Sequence, residues 1–319
     1  MKKTKLSIVI PCHNEAANIE PLYKEIYDTF KNRNEKIELV FINDGSKDTT
    51  LKELKNILTK KDFEIKVISF SRNFGKDAAM YAGLENSTGD LVCIIDADLQ
   101  QKPSLIVPMI EALEANEEYD SVCYFQENRI ESNLITRLKS SFYKMMTKIS
   151  DIEFVDGASD FRLFKRQVVN SILSLKESNR FSKGIFNWVG YNTCYLPYTP
   201  EARRYGKSSY SMWKLVMYAL SGIISFSTLP LSIATVGGVI SAAICLFYIL
   251  IVVFQKIFLT IDVPGYPTLL VTILLIGSLI LCCLGIIGEY VARIYMETKK
   301  RPLYVEKEIL TNNTKKETK

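Results

Sequence analysis

Residues 91–100 of this 319-residue chain read LVCIIDADLQ, an uncharged apolar run that ends in two acids. The run is short and rich in β-branched residues, which predicts a buried strand. In open α/β sheets, ligands bind at the carboxyl ends of the strands, so we expect Asp96 and Asp98 to lie in a binding site. Paired carboxylates at such an edge favour a hard divalent cation, Mg²⁺ or Mn²⁺, on a diphosphate. The position after an apolar strand weakens the alternative that these are solvated loop acids.

The preceding sequence alternates short apolar runs with helical spacing. The runs are Leu6–Ile10, Ile37–Ile42, Ile65–Phe70 and Leu91–Ile95, and the helical segments are Ala16–Phe30, Thr49–Leu58 and Lys76–Glu85. A further helix follows Pro103, over Leu105–Leu113, and a further strand is predicted at Ser121–Phe125. This rhythm predicts a mainly parallel sheet with helices on both faces.

Polar residues follow two of the other predicted strands. The first strand ends in Pro11-Cys12-His13-Asn14-Glu15 and the second in Asn43-Asp44-Gly45-Ser46-Lys47-Asp48. Their acids and amides are suited to accept hydrogen bonds from a nucleobase and a ribose. Asp48 is better explained as a cap on the next helix, whereas Asp44 is the better ligand candidate. Because parallel strands end at one edge, these groups are expected to converge there with Asp96 and Asp98.

The second half contains two uncharged apolar spans, Leu229–Phe254 and Thr268–Gly288. Each reaches the roughly 20 residues that a transmembrane helix requires, and two in succession disfavour a pair of buried core helices. Cations cluster before the first span and after the second, whereas the connecting loop has only Lys256. The positive-inside rule therefore places both termini in the cytoplasm.

Two amphipathic stretches favour the membrane surface. Residues 131–150 mix lysines with apolar and aromatic side chains, which suits either an interfacial helix or a helix docked on the sheet. Residues 210–228 carry Trp213, Tyr218 and Phe226 and suit an interfacial helix that leads into the first span.

The composition excludes several classes of protein. The net charge of +5 comes without a dense basic stripe or a nucleic-acid reader motif, so a nucleic-acid partner is not expected. The seven cysteines have no C-x-x-C spacing and His13 is the single histidine, which argues against a zinc site and a disulfide framework. Reduced thiols are typical of a catalytic domain in the cytosol.

Together these motifs resemble the family 2 glycosyltransferases with a GT-A fold, in the polyprenyl-phosphate branch that includes dolichol-phosphate mannose synthases and bactoprenol glucosyltransferases. The resemblance covers nearly the whole chain, and the two terminal helices match the bactoprenol-linked type best. The matching stretches are Ser7–Pro11 with Asn14-Glu15, Asn43–Ser46 with Asp48 and Thr50, Ser71–Lys76, Asp96–Gln100, Asp160–Leu163, Arg203-x-x-Gly206-x-Ser208-x-Tyr210, Gly288–Tyr290 and Arg301-Pro302.

The resemblance implies roles for particular residues of this chain. Donor binding falls to Pro11, Glu15, Asp44, Arg72, Lys76 and Asp96. Asp96, Asp98 and Gln100 would hold the metal, and Arg129, Arg137 and Arg203 would receive the lipid phosphate. Asp160 matches the active-site acid and, with Asp98, is the catalytic candidate; the alternative is a structural partner of Arg162. The chain departs from the family where Asn43 replaces a frequent Asp and Ser209 a frequent Lys. The second change would remove one cation near the phosphate, for which Lys207 could substitute.

The expected organisation is a cytoplasmic GT-A catalytic domain (1–209), an interfacial helix (210–228), a two-helix transmembrane domain (229–294) and a cytoplasmic tail (295–319). The expected activity is inverting transfer of a hexose, glucose or an N-acetylhexosamine, from a UDP-sugar to undecaprenyl phosphate at the cytoplasmic face of a bacterial cell membrane. Membrane lipids and further copies of the chain are the expected partners.

Three alternatives stay open at this stage. The first is a GDP-mannose-dependent polyprenyl-phosphate mannosyltransferase, and the second is a non-catalytic nucleotide-sugar-binding scaffold. The third is a processive polysaccharide synthase of the same superfamily. Those enzymes resemble one another in a Gln-x-x-Arg-Trp motif, and this chain is disfavoured as a member because no arginine precedes Trp188 or Trp213.

Overall fold

The computed structural model describes residues 4–126, 155, 157–178, 180–199, 224, 227–258 and 265–312. The chain divides into two compact units. Met1–Leu215 and Pro302–Lys319 form the first, and Val216–Arg301 forms the second. The predicted interfacial segments, residues 131–150 and 210–228, lie outside the described residues except for Ile224, Ser227 and Thr228.

The first unit is a layered α/β domain. Its elements are β1 (Lys5–Cys12), α1 (Ala16–Phe30), β2 (Lys36–Asn43), α2 (Thr50–Ile57), β3 (Glu64–Phe70), α3 (Lys76–Asn86), β4 (Leu91–Ile94), a 3₁₀ turn (Pro103–Leu105), α4 (Ile106–Ala115), β5 (Ser121–Gln126), β6 (Ala158–Lys165), α5 (Arg166–Ser174), α6 (Ser182–Trp188), β7 (Thr193–Tyr198) and β8 (Glu306–Thr311). The predicted strands and helices of the first 125 residues are confirmed, with ends that differ by at most a few residues.

The eight strands form one sheet in the order β7-β5-β6-β4-β1-β2-β3-β8. The central strands β4, β1, β2 and β3 are parallel, as predicted from the alternating pattern. Two antiparallel strands were not predicted: β6 lies between β4 and β5, and β8 pairs with β3 at the edge. The sheet is therefore mixed but mostly parallel.

Helices cover both faces of the sheet, and successive side chains of β1 point alternately to the two helical layers. Ile8 and Ile10 belong to the main core with Ile19 and Leu22 of α1. Val9 points to the other face, where α3 packs so closely that a Cβ at Gly83 would lie 2.1 Å from Val9 Cγ1. Glycine is therefore required at this helix–sheet contact.

The second unit is a helical pair, α7 (Leu229–Phe258) and α8 (Tyr266–Thr298). Apolar windows at Leu229–Ile251 and Val271–Thr298 have mean hydropathies of 2.3 and 2.7, and neither is buried in protein. Both helices are long and apolar enough to cross a membrane. Their exposed apolar surface excludes the alternative that they are core helices of the described part of the chain.

Candidate active site

Three strand ends meet at one edge of the sheet. In the parallel register Cys12 pairs with Asn43 and Val9 pairs with Ile94. The residues that follow these strands, from His13, Asp44 and Ile95 onward, therefore emerge side by side. The predicted convergence at the carboxyl edge is confirmed.

The antiparallel strand β6 brings Asp160 to the same place. Ile94 of β4 pairs with Arg162 of β6, so the register continued by two residues sets Asp160 opposite Asp96. Lys76, the first residue of α3, lies between the two acids. Its Nζ is 2.7 Å from Asp96 Oδ1 and 2.8 Å from Asp160 Oδ2. One ammonium group thus bridges a carboxylate of β6 and a carboxylate of the turn after β4.

This bridge sets the charge state of the site. Burial raises the pKa of Asp160, but the positive charges of Lys76 and Lys183 outweigh it and the net shift is downward. Burial lowers the pKa of Lys76, and the Asp160 and Asp96 carboxylates more than reverse it. Asp160 is therefore an ionised carboxylate and Lys76 an ammonium at neutral pH. Burial also raises the pKa of Asp96, with Lys76 opposing the shift.

The turn after β4 is fixed by its own side chains. Leu99 adopts a left-handed backbone conformation with φ of 60°. The Asp98 Oδ1 atom accepts a hydrogen bond from the Gln100 N–H at 3.1 Å, and the Asp96 N–H donates to Gln101 Oε1 at 3.2 Å. The Asp98 side chain is buried in this turn.

The donor set fits a divalent cation that arrives with a diphosphate. Asp96 and Asp98 supply the carboxylate oxygens that Mg²⁺ and Mn²⁺ prefer. Within the described residues there is no cluster of three or more His, Cys, Asp or Glu side chains suited to a metal. Mg²⁺ is commonly held by one or two carboxylates, with substrate phosphates and water completing its shell, and this site offers that minimal set.

Asp44 supports the neighbouring loop, residues 71–75. Its carboxylate accepts the backbone N–H groups of Phe74 at 2.7 Å and Gly75 at 3.0 Å. Burial raises the pKa of Asp44, and these two N–H groups oppose that shift. The side chain is thus engaged with protein backbone at the edge where the resemblance places the base and ribose; contact with the nucleotide stays a prediction.

Gly45 allows this loop to approach the turn after β2. A Cβ at Gly45 would lie 2.2 Å from the Arg72 carbonyl carbon and 2.4 Å from the Asn73 nitrogen. Gly45 also has a φ of 59°, which favours glycine. Gly45 therefore allows a close contact between two loops of the site.

The remaining donor-site candidates line the same edge. Pro11 is partly buried within β1, and the Glu15 carboxylate accepts from Asn18 Nδ2 at 2.5 Å. The Arg72 guanidinium lies 4.0 Å from the centroid of the Phe74 ring. Asp48 accepts from the Thr50 N–H at 3.0 Å and from the Ala16 N–H at 3.3 Å. The N-cap residue of α2 is Thr49, so Asp48 pairs with an N–H at the start of α2 without being its cap residue.

Sequence reasoning missed two polar residues near Asp160. Lys183 donates from Nζ to the Ala158 carbonyl oxygen at 3.1 Å, and Asp77 accepts the Ser182 N–H at 3.0 Å. Both contacts join parts of the chain that no local pattern connects. The buried Arg162 donates to Asn187 Oδ1 and to the Ser159 carbonyl oxygen, while Asp160 pairs with Lys76. Arg129, Arg137 and Arg203, predicted to receive the lipid phosphate, lie outside the described residues.

Comparison with known proteins gives consistent matches. The model of glycosyl transferase family 2 matches residues 7–173. The putative glycosyltransferase CsbB of Bacillus subtilis (strain 168) is 41% identical, over 97% of this chain and 93% of its own. The bactoprenol glucosyl transferase of Shigella phage SfX is 40% identical, over 95% of this chain and 99% of its own.

A solved structure, the mannosyltransferase PcManGT from Pyrobaculum calidifontis in complex with GDP-Man and Mn²⁺, matches with a TM-score of 0.50. It is 19% identical and covers 70% of this chain and 64% of its own. That likeness shows the fold alone.

Proposed function

The chain belongs to glycosyl transferase family 2, and on that premise we propose that it transfers a hexose from a UDP-sugar to undecaprenyl phosphate. The observation that carries the proposal is the Lys76 bridge between Asp96 and Asp160, beside Asp98 at the carboxyl edge of the sheet. Such a site combines fixed positive and negative charge where a diphosphate and a second anion can meet.

The choice of acceptor rests on the relatives and on the two apolar helices. The Shigella phage SfX relative is named a bactoprenol glucosyl transferase, and its alignment takes in 99% of its own length and 95% of this chain. A polyprenyl phosphate resides at a membrane, and α7 and α8 are long enough to hold the enzyme there. Glucose is the first candidate for the sugar, with an N-acetylhexosamine as the alternative.

Charge compensation dominates the chemistry because both substrates are anionic. A divalent cation held by Asp96, Asp98 and Gln100 would neutralise charge on the leaving nucleoside diphosphate. The Lys76 ammonium contacts Asp96 and would also place positive charge near the donor phosphates. The predicted lipid-phosphate residues Arg129, Arg137 and Arg203 would receive the attacking phosphate. Direct displacement at the anomeric carbon inverts its configuration.

Asp160 is proposed to hold cations in place, with proton removal secondary. A phosphate monoester has a second pKa of about 6 and is largely dianionic at neutral pH, so the acceptor needs little help from a general base. The Asp160 carboxylate holds Lys76 at 2.8 Å. By fixing this ammonium, Asp160 preorganises the charge around the reacting groups.

The membrane arrangement is part of the same proposal. Lysines and arginines lie before the first apolar span and after the second, whereas the connecting loop has only Lys256. This distribution supports a cytoplasmic catalytic domain with both termini in the cytoplasm. Surrounding lipids and further copies of the chain would contact the helices.

The test uses the full-length protein in detergent with undecaprenyl phosphate and a panel of labelled UDP- and GDP-sugars, with and without Mg²⁺ or Mn²⁺. We expect one UDP-sugar to give a labelled, lipid-extractable product that a chelator abolishes. Asp98→Asn should abolish it as well, whereas Asp28→Asn, which changes an exposed acid of α1, should not.

Each failure identifies the part that is wrong. Transfer from GDP-mannose alone would refute the UDP-sugar donor and identify the chain as a mannosyltransferase. Nucleotide binding without any lipid product would refute the polyprenyl-phosphate acceptor. Transfer that survives chelation would refute the role of the metal.

A further inference from the structure

The Arg301-Pro302 motif stands just before a strand that the proposed chemistry does not use. After α8 ends at Thr298, the chain forms β8, which pairs antiparallel with β3. The register sets Glu306 beside Phe70, the last residue of β3. Residues 303–305 therefore lie next to the start of residues 71–75, which we name the donor loop.

Tyr304 joins both ends of the β3–α3 unit. Its ring stacks on Phe70, with centroids 4.8 Å apart and an interplanar angle of 22°. Its hydroxyl donates to Glu85 Oε2, near the end of α3, at 2.6 Å. The adjoining Val305 carbonyl oxygen accepts the Ser71 N–H at 3.0 Å. In sequence, the donor loop and Lys76 lie between Phe70 and Glu85, the two residues that the Tyr304 side chain contacts.

The contact continues into the loop itself. Phe70 meets Phe74 edge-on, with ring centroids 5.7 Å apart, and the Arg72 guanidinium lies over the Phe74 ring, 4.0 Å from its centroid. Gly75 has a φ of 97°, so the backbone before Lys76 needs external support to keep one conformation. Asp44 accepts from the Phe74 and Gly75 N–H groups, while Phe70 and Arg72 contact the Phe74 side chain.

We propose that Tyr304 is a positioning residue for donor binding, which acts through Phe70 and Phe74 to fix the donor loop and the start of α3. The inference rests on the proposed function for the identity of the donor, but the loop contacts are independent of the acceptor. The C-terminal segment is thus part of the nucleotide-sugar site although it follows both apolar helices in sequence.

The test compares three variants of the full-length protein in detergent. Tyr304→Leu removes the ring, and Tyr304→Phe keeps the stacking on Phe70. Phe63→Leu is the control: it disrupts aromatic contacts with Tyr23 and Tyr27 just before β3, at the opposite end of that strand from Phe70. Hydrogen exchange of peptides that cover residues 71–76 is measured without nucleotide. UDP affinity is measured by calorimetry with Mn²⁺.

We expect Tyr304→Leu to speed exchange across the donor loop and to weaken UDP binding by about two- to tenfold, the range of one aromatic pair. Tyr304→Phe should restore UDP affinity to within about twofold because the stack remains. Phe63→Leu should lower the unfolding temperature without changing loop exchange or UDP affinity. If Tyr304→Leu does not fold, Tyr304→Met replaces it in the same comparison.

The inference is overturned if Tyr304→Leu leaves loop exchange and UDP affinity at the values of Phe63→Leu, since Tyr304 would then only stabilise the fold. It is also overturned if Tyr304→Phe is as defective as Tyr304→Leu. Wild-type protein that binds UDP but transfers nothing to undecaprenyl phosphate would refute the proposed function and leave this inference standing. If GDP binds in place of UDP, the same comparison is made with GDP.

Discussion

Replacement of Lys76 by methionine tests the central charge arrangement of the site. Methionine keeps the unbranched apolar part of the side chain and removes the ammonium that bridges Asp96 and Asp160. The two carboxylates, opposite each other in the strand register, then lose their shared counter-charge. We expect the variant to be less stable without metal and to respond more strongly to a divalent cation.

The magnitude follows from the burial of the three groups. Removing one partner of a fully buried ion pair costs about 3–5 kcal/mol. Because 35% of the Lys76 side chain and 27% of that of Asp96 are accessible, water screens the remaining charges. We therefore expect a loss of about 2 kcal/mol, equivalent to roughly 4–8 °C in unfolding temperature for a domain of this size. Loss of the fixed positive charge should also lower kcat by about 100-fold.

The assay is thermal unfolding of the full-length protein in detergent, in chelator and in a series of Mn²⁺ concentrations without nucleotide, with direct Mn²⁺ binding followed by electron paramagnetic resonance. Lys55→Met is the matched control, because Lys55 pairs with Glu308 at the surface. That exposed pair is worth less than about 1 kcal/mol. Equal unfolding temperatures for Lys76→Met and Lys55→Met in chelator, with equal shifts on adding Mn²⁺, would refute the reasoning.

Three further predictions concern the site and the buried polar contacts of the domain. Gly45→Ala should destabilise the domain by about 2–4 kcal/mol and weaken UDP binding, measured by chemical unfolding and calorimetry, because its Cβ would overlap the Arg72 backbone. Glu38→Gln should lose about 1–3 kcal/mol at pH 7, since the buried carboxylate accepts from Ser7 and Thr88. Burial raises the Glu38 pKa, but these donors lower it overall, so the stabilisation is present above about pH 4.3. This stabilisation is lost as the pH falls through the pKa of Glu38 in the folded protein. Below that pH the unfolding curves of the wild type and Glu38→Gln should converge. Asp77→Ala should cost about 1 kcal/mol and speed hydrogen exchange at the start of α6, because the Ser182 N–H loses its acceptor; unchanged exchange would contradict this.

The sequence predicted the elements of the first 125 residues because their signals are local. An apolar run such as Leu91–Ile95 identifies a buried strand, and the alternation with helical spacing requires parallel neighbours joined by crossovers. The acids after β4 and the polar groups after β1 and β2 could therefore be assigned to one edge before their geometry was known. Likewise, the apolar spans Leu229–Phe254 and Thr268–Gly288 are a property of composition alone.

The tertiary structure decided which distant residues meet. No local pattern shows that β6 enters the sheet antiparallel beside β4, and that register sets Asp160 opposite Asp96 and gives Lys76 two partners. No pattern showed either that residues 306–311, predicted only as part of a tail, form the edge strand that brings Tyr304 onto Phe70. Side-chain periodicity records how each segment is buried, which is a local property. Pairing between strands far apart in sequence depends on how the whole domain packs, and this information is distributed over the entire chain.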